Sequence, residues 1–357
     1  MHKDDLMTPV ERRKYLDAKR PVDRMPIGII FSSAARRFFA ADLRKTCSEA
    51  EAAAEIQIKI YEAFGVDGVE VFYGLNTFGE IYGAVMSEPE IGVPAILCHP
   101  FQSLDDAAKI LPENFTVRRE KKAAVFFEAL QMIREKIGHE TFYGMGFPGA
   151  LTAAASLLGT EKLLRAFHRE PQKLHVLLGV INACLINLAS DFLKDDIPIS
   201  ISDPVASATI ISAKQFETFV MPYAQEFVAA CRKIRPYGVG CHICGDTTKI
   251  LRQMTECGYS SLSLDNRVDL AVAKETVGSK VPISGNVPPV EVMALGTPSE
   301  VEAAVYECFR KAGDSPCGFT INTGCDCSPY TPRENVEAYF RAARKCAKYP
   351  YSEENWR

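Results

Sequence analysis

Short β-rich runs alternate along this chain with longer stretches of helical spacing. The runs Pro26–Phe31, Gly68–Tyr73, Phe142–Phe147, Ile197–Ser202, Tyr237–Ile243, Ser260–Leu264, Val281–Gly285 and Gly318–Asn322 read as strands. Several helix starts between them carry an explicit signal. Thr8-Pro9-Val10-Glu11, Thr297-Pro298-Ser299-Glu300 and Thr331-Pro332-Arg333-Glu334 read as capping boxes with proline at the first helical position. Ser48-Glu49-Ala50-Glu51 opens another helix, which Gly65 ends. Alternation of this kind implies α/β architecture, with parallel strands covered by helices. Eight strand–helix units with no Pro/Gly-rich linker predict one closed (β/α)8 TIM barrel over residues 25–357, preceded by an N-terminal helical extension over residues 1–24.

The most apolar run, Leu177 to Ala189, is interrupted by Asn182 and Asn187 and followed by Asp191 and Lys194, so it reads as a buried helix and not a membrane span. Of 357 residues, 47% are hydrophobic and 24% charged, the balance of an ordinary globular chain. The net charge of −4 gives no electrostatic footprint for nucleic acid. The basic clusters Arg12-Arg13-Lys14 and Arg118 to Lys122 read as solvated helical faces. Met1-His2-Lys3-Asp4-Asp5 lacks an apolar signal core, so a cytoplasmic location is expected. Twelve cysteines then belong to a reducing compartment, as free, catalytic or metal-bound thiols. Cys184, Cys231, Cys308 and Cys346 fall in helical patterns and read as small buried hydrophobes. Neither GxGxxG after the first strand nor GxxxxGK[ST] occurs, which removes the two common nucleotide-binding motifs.

In a barrel, chemistry gathers where strands end. The run Gly240-Cys241-His242-Ile243-Cys244-Gly245 closes one predicted strand. Its two-residue period puts His242 and Cys244 on one side, with Cys241 and Ile243 on the other. The last strand runs into Gly324-Cys325-Asp326-Cys327, and barrel closure would bring Cys325 to the same mouth. One imidazole and two thiolates make a catalytic zinc site with an open fourth position, one ion per chain. Cys327 is the competing residue, since it would complete a closed structural site. Cys98-His99 has no matching partners, and His139, His168 and His175 fall on helices.

Larger landmarks join these residues. Thr8-Pro9-Val10-Glu11-Arg12 leads to Pro21-Val22-Asp23-Arg24-Met25-Pro26, and the chain ends through Gly285-Asn286-Val287, Asn322-Thr323-Gly324-Cys325 and Thr331-Pro332-Arg333-Glu334-Asn335-Val336. Together they resemble the uroporphyrinogen decarboxylase superfamily over nearly the whole length. His242-Ile243-Cys244 with the distant Cys325 resembles its zinc-dependent, corrinoid-linked methyltransferase branch, which includes methylcobamide:coenzyme M methyltransferases. The chain departs from the decarboxylase branch at four places. The Met-Arg-Gln-Ala-Gly-Arg stretch is absent from Phe31 to Phe38, the aspartate from Val71 to Asn76, and the tyrosine from Gly146 to Ala153; Cys325 stands where decarboxylases have histidine.

The resemblance implies a methyltransferase moving a methyl group between a separate corrinoid (cobalamin) protein and a small thiol such as coenzyme M, with zinc on His242, Cys244 and Cys325 activating the thiolate. Asp265, at the end of Ser263-Leu264-Asp265, is a candidate supporting acid or loose fourth ligand, and Asp203 a further candidate of the same kind. The same ligands would serve transfer in the other direction, from a methylated donor to the corrinoid protein. A tetrapyrrole lyase without metal and a metal-stapled scaffold are the rivals of different class.

Overall fold

The computed structural model describes residues 2–89, 92–236, 238–350 and 354. Most of the expected β-runs form strands, and their order follows the chain. They are β1 (Gly68–Phe72), β4 (Phe142–Pro148), β5 (Ile199–Ser202), β6 (Gly240–Ile243), β7 (Ser261–Leu264), β8 (Ile283–Val287) and β9 (Phe319–Thr323), with a small hairpin of β2 (Val85–Met86) and β3 (Ile96–Cys98) that the sequence pattern did not announce. Tyr237, the first residue of one expected strand, lies outside the described residues. The seven strands form a single parallel sheet in the order β1-β4-β5-β6-β7-β8-β9.

The expected first strand is the exception. Pro26–Phe31 makes one parallel bridge, Ile27 to Ile321 of β9, instead of a ladder. Its backbone groups are claimed elsewhere: the Ile27 N–H donates to the Asp67 carboxylate, the Ile30 N–H to Thr323 Oγ1, and the Tyr339 hydroxyl donates to the Gly28 carbonyl. The segment still stands beside β9, with the Gly28 N–H on the Ile321 carbonyl, and beside the approach to β1, with the Asp67 N–H on the Ile27 carbonyl. It runs there as irregular chain.

By packing, the chain divides into two compact units, Met1–Val71 with Glu128–Gly144 and Ser261–Arg357, and Phe72–Phe127 with Met145–Ser260. In the second unit the run around Leu177–Ala189 lies within the helix Pro171–Lys194. That helix is long and apolar enough to span a bilayer, yet Leu177, Leu178, Ile181, Cys184, Leu185 and Leu188 are buried in the fold. Asn182, also buried, is satisfied by Glu226. Cys184 and Cys231 are buried here, as Cys308 and Cys346 are in the other unit.

In the first unit the helix Pro9–Asp17 starts with the expected capping box of Thr8 and Glu11, and Pro298–Ala312 starts with that of Thr297 and Glu300. Two other expected caps do not form. Arg333–Ala347 begins on Pro332 with no side-chain cap, and Ser48 closes a preceding helix while Glu49 precedes Ala50–Phe64. Gly65 ends that helix at φ +57, its N–H on the Tyr61 carbonyl.

Arg13 and Lys14 are exposed, as their cluster's reading as solvated surface expects, but Arg12 departs from it: it is fully buried. Its guanidinium donates to Asp23 at 2.7 Å and to Asp67. Arg24 donates to both carboxylate oxygens of Asp5 at 2.8 and 2.7 Å and to Asp67. The partners come from segments far apart in sequence, so no local pattern could reveal the burial. Arg118, Arg119 and Lys121 are exposed, as their pattern implies, while Lys122 is half-buried against Thr77 and Glu80.

Buried charges depend on one another. Removing one partner strands the rest without solvation. Arg24→Ala is therefore expected to lower unfolding free energy by about 3–5 kcal/mol, read by urea titration. Burial alone would raise Asp5 and Asp23, but hydrogen bonds and charge from Arg24 and Arg12 hold both below the ordinary carboxylate value. Their stabilisation is thus complete above about pH 4 and disappears as pH falls through the lowered folded values. A urea series in acid should show wild type losing stability in that window and Arg24→Ala losing less.

Candidate metal centre

On β6, Cys241 and Ile243 are buried while Gly240 and His242 are half-exposed, the alternation expected of the motif. Ser202 of β5 lies opposite His242 in the parallel register. The Asp203 N–H donates to the His242 carbonyl at 3.0 Å, so the end of β5 holds the backbone of the histidine. His242 Nε2 lies 3.2 Å from Cys244 Sγ. Gly245 then turns the chain at φ +82, where a Cβ would come within 2.7 Å of Ser207 Oγ. Strand period and glycine exit together present an imidazole and a thiol side by side.

Cys325 follows β9 on a clamped loop. The Gly324 N–H donates to the Val287 carbonyl and the Cys327 N–H to the Ile30 carbonyl, each at 2.9 Å. Cys325 itself is half-exposed. The donor atoms of His242, Cys244 and Cys325 all lie within 4.8 Å of one another; among the described residues no other His, Cys, Asp or Glu group of three or more is so gathered. Zinc bonds of about 2.0–2.3 Å in tetrahedral array put donors roughly 3.3–3.8 Å apart. One nitrogen and two soft sulfurs suit zinc in chemistry, the 3.2 Å between His242 Nε2 and Cys244 Sγ is close to that spacing, and three donors would leave one vertex for a ligand.

Cys327 does not belong to the group. Its side chain is fully buried, and burial pushes its thiol well above the ordinary range. Asp265 and Asp203 are outside the group too, and each supports a loop. Asp265 is buried; its carboxylate accepts the Arg267 N–H at 2.9 Å and its carbonyl accepts Asn286 Nδ2 at 2.9 Å. Asp203 is buried at the start of the helix Ala150–Leu158, accepting the Thr152 N–H at 2.9 Å and the Thr152 hydroxyl at 2.5 Å. Burial pushes its carboxyl up to about 6, against the lowering effect of those bonds. Gly149 makes room for it: a Cβ there would fall 2.2 Å from the carboxyl carbon.

The remaining histidines are otherwise engaged or exposed. His99 Nδ1 lies 2.9 Å from the Ser156 carbonyl, and His175 sits between the Tyr223 hydroxyl and the Phe219 ring. His139 and His168 are exposed. Sequence reasoning missed a polar lining. Ser200 and Ser202 in one unit, and Ser263, Ser284, Thr320 and Asn322 in the other, are half-exposed on strands whose alternate residues are mostly buried apolar side chains. The two-residue alternation of those strands was the available signal. It also missed Asp326, whose carboxylate meets the helix Ser32–Phe38.

The sequence profile of the uroporphyrinogen decarboxylase (URO-D) family matches residues 14–346, and the chain belongs to that family. Its relatives carry two kinds of name. A methylcobamide:CoM methyltransferase, MtbA, of Methanosarcina mazei is 28% identical over 94% of this chain and 98% of its own length. A uroporphyrinogen decarboxylase of Synechococcus sp. is 27% identical over 81% of each. A solved methyltransferase from Methanosarcina mazei shares the fold, with a TM-score of 0.82 at 23% identity over 94% of this chain and 98% of that one.

Gly324 has no room for a side chain, since a Cβ would lie 2.5 Å from the Asn266 backbone nitrogen. Gly324→Ala must displace backbone next to Cys325, and is expected to cost about 1–3 kcal/mol in a urea unfolding titration. Ala at Gly83, where a Cβ meets nothing within 4 Å but φ is +90, carries backbone strain without a collision and should cost less.

Proposed function

We propose that this chain is a zinc-dependent methyltransferase, acting between a corrinoid carried by a separate protein and a small thiol of the coenzyme M type, with His242, Cys244 and Cys325 as the metal ligands. The observation that carries the reading is the gathering of one imidazole and two thiols within 4.8 Å. Decarboxylase and methyltransferase relatives are nearly equally identical to the chain, so percentage identity does not choose between them. The donor set favours the methyltransferase reading, because porphyrinogen decarboxylation has no use for two thiolates around an open position. The scaffold in this reading is a (β/α)8 barrel in which the bridge at Ile27 takes the first strand's place.

Zinc bound here would lower the pKa of a thiol in its open position, making a sulfur anion available near neutral pH. The chain supplies the rest. Strand ends hold the donors, and a small polar side chain such as Ser202, opposite His242 on the neighbouring strand, would admit a polar ligand. In the transfer, the thiol sulfur forms its bond to the methyl carbon as the carbon–cobalt bond breaks with its electron pair left on cobalt. The thiol proton leaves to solvent. Alignment of sulfur, carbon and cobalt is the main contribution of the protein to the rate.

Metal analysis of purified protein is expected to give about one zinc per chain, as an open three-ligand site requires. His242→Ala, Cys244→Ala and Cys325→Ala should each lose the metal and methyl transfer from methylcobalamin to thiol, followed by cobalt absorbance. Cys327→Ala should keep both. A folded, fully active Cys325→Ala, or uroporphyrinogen turnover by metal-free protein, would defeat the reading.

A further inference from the structure

The residue after Cys325 makes a contact that metal ligation does not require. Asp326 Oδ1 accepts the Ser32 N–H at 2.7 Å; Oδ2 accepts the Ser33 N–H at 3.0 Å and the Ser33 hydroxyl at 2.5 Å. Those donors form the first turn of the helix Ser32–Phe38, which has no side-chain cap of its own because Phe31 occupies the capping place. A carboxylate from nearly three hundred residues further along the chain takes over that task. The loop is thereby fastened on three sides: Gly324 to Val287, Cys327 to Ile30, and Asp326 to the helix.

A backbone fastening and a side-chain fastening differ in consequence. The Gly324 and Cys327 bonds set the path of the chain on either side of Cys325. The Asp326 bonds fix how the peptide between them is rotated, because a carboxylate facing a helix start has one direction to face. In a four-residue turn that rotation decides where the neighbouring Cβ and sulfur point. Ligand groups held by such supporting bonds keep their orientation when the metal is absent, and losing the support lowers metal affinity.

The geometry points to Asp326 as a positioning residue for Cys325, one that aims its sulfur at the metal by capping the helix Ser32–Phe38. The inference rests on Cys325 being a ligand, as proposed above. It adds that the helix after the Ile27 segment takes part in building the centre, through Ser33 as the acceptor's main partner.

Asp326→Asn keeps the shape but offers one acceptor oxygen and an NH2 to three donors. Ser33→Ala removes only the hydroxyl. Zinc affinity, measured by competition with a chromophoric chelator, should fall about 10- to 100-fold in Asp326→Asn and less in Ser33→Ala. Cobalt(II) substituted into each variant should show shifted sulfur-to-metal and ligand-field absorption. Thr297→Ala, which removes an unrelated helix cap, should lower Tm while leaving zinc affinity and the cobalt spectrum unchanged.

If Asp326→Asn and Ser33→Ala lose only thermal stability, with wild-type zinc affinity and cobalt spectrum, the positioning role is wrong. Should Asp326→Asn fail to fold, Ser33→Ala decides on the same two readouts. Loss of zinc in Cys325→Ala together with full affinity in Asp326→Asn would overturn this inference alone. Full affinity in Cys325→Ala would overturn the ligand assignment and this inference with it.

Discussion

Two thiols and an imidazole gathered within 4.8 Å are an unfavourable arrangement for a protein without a cation. Thiolates repel one another at such distances, and the proton or metal that relieves the repulsion competes with solvent for the same groups. Each donor's backbone is held within its own unit. His242 is held in a ladder whose next residue on the neighbouring strand, Asp203, bonds its carbonyl, and Cys325 lies between two clamped amides. In the proposed reading, selectivity for a soft divalent ion would follow from the donor types, and openness from the count of three.

In the proposed reading, stability and chemistry are kept at opposite ends of the strands. Asp67, just before β1, and Arg24, just before the Ile27 segment, join the buried charge network at strand beginnings. His242, Cys244, Asp203, Asp265 and Cys325 stand at strand ends. This is the division expected where parallel strands share one direction: loops at one end are free to carry function because those at the other hold the fold. The network also ties the helix Pro9–Asp17 to the rest of its unit, since Arg12 reaches Asp67 from that helix.

Membership of the URO-D family constrains the scaffold more than the reaction. Methyltransferase and decarboxylase names both occur among its relatives, so the scaffold by itself does not fix the reaction. In this chain the acidic residues at the strand ends all accept from backbone amides, Asp203 and Asp326 from distant helix starts and Asp265 from Arg267 in its own turn. Those bonds hold backbone in place, and in the proposed reading the reactive groups are sulfur and imidazole.

Most strands, the Thr8 and Thr297 caps, the glycine end at Gly65 and the same-sided pair His242 and Cys244 were legible in the sequence, because each depends on residues within a turn or a few strand positions of one another. Cys325 was legible from its place after the last strand and from the family resemblance of the motif. Tertiary structure decided the rest. Arg12 is buried because Asp23 and Asp67 reach it, Pro26–Phe31 is a bridge because side chains take its backbone bonds, and Cys327 is excluded because its thiol faces the core. Asp203 and Asp326 cap helices that begin 50 or more residues away in the chain. Periodicity records which face a residue occupies; it holds no record of which distant backbone will arrive to meet it, since that is fixed only when the strands pack.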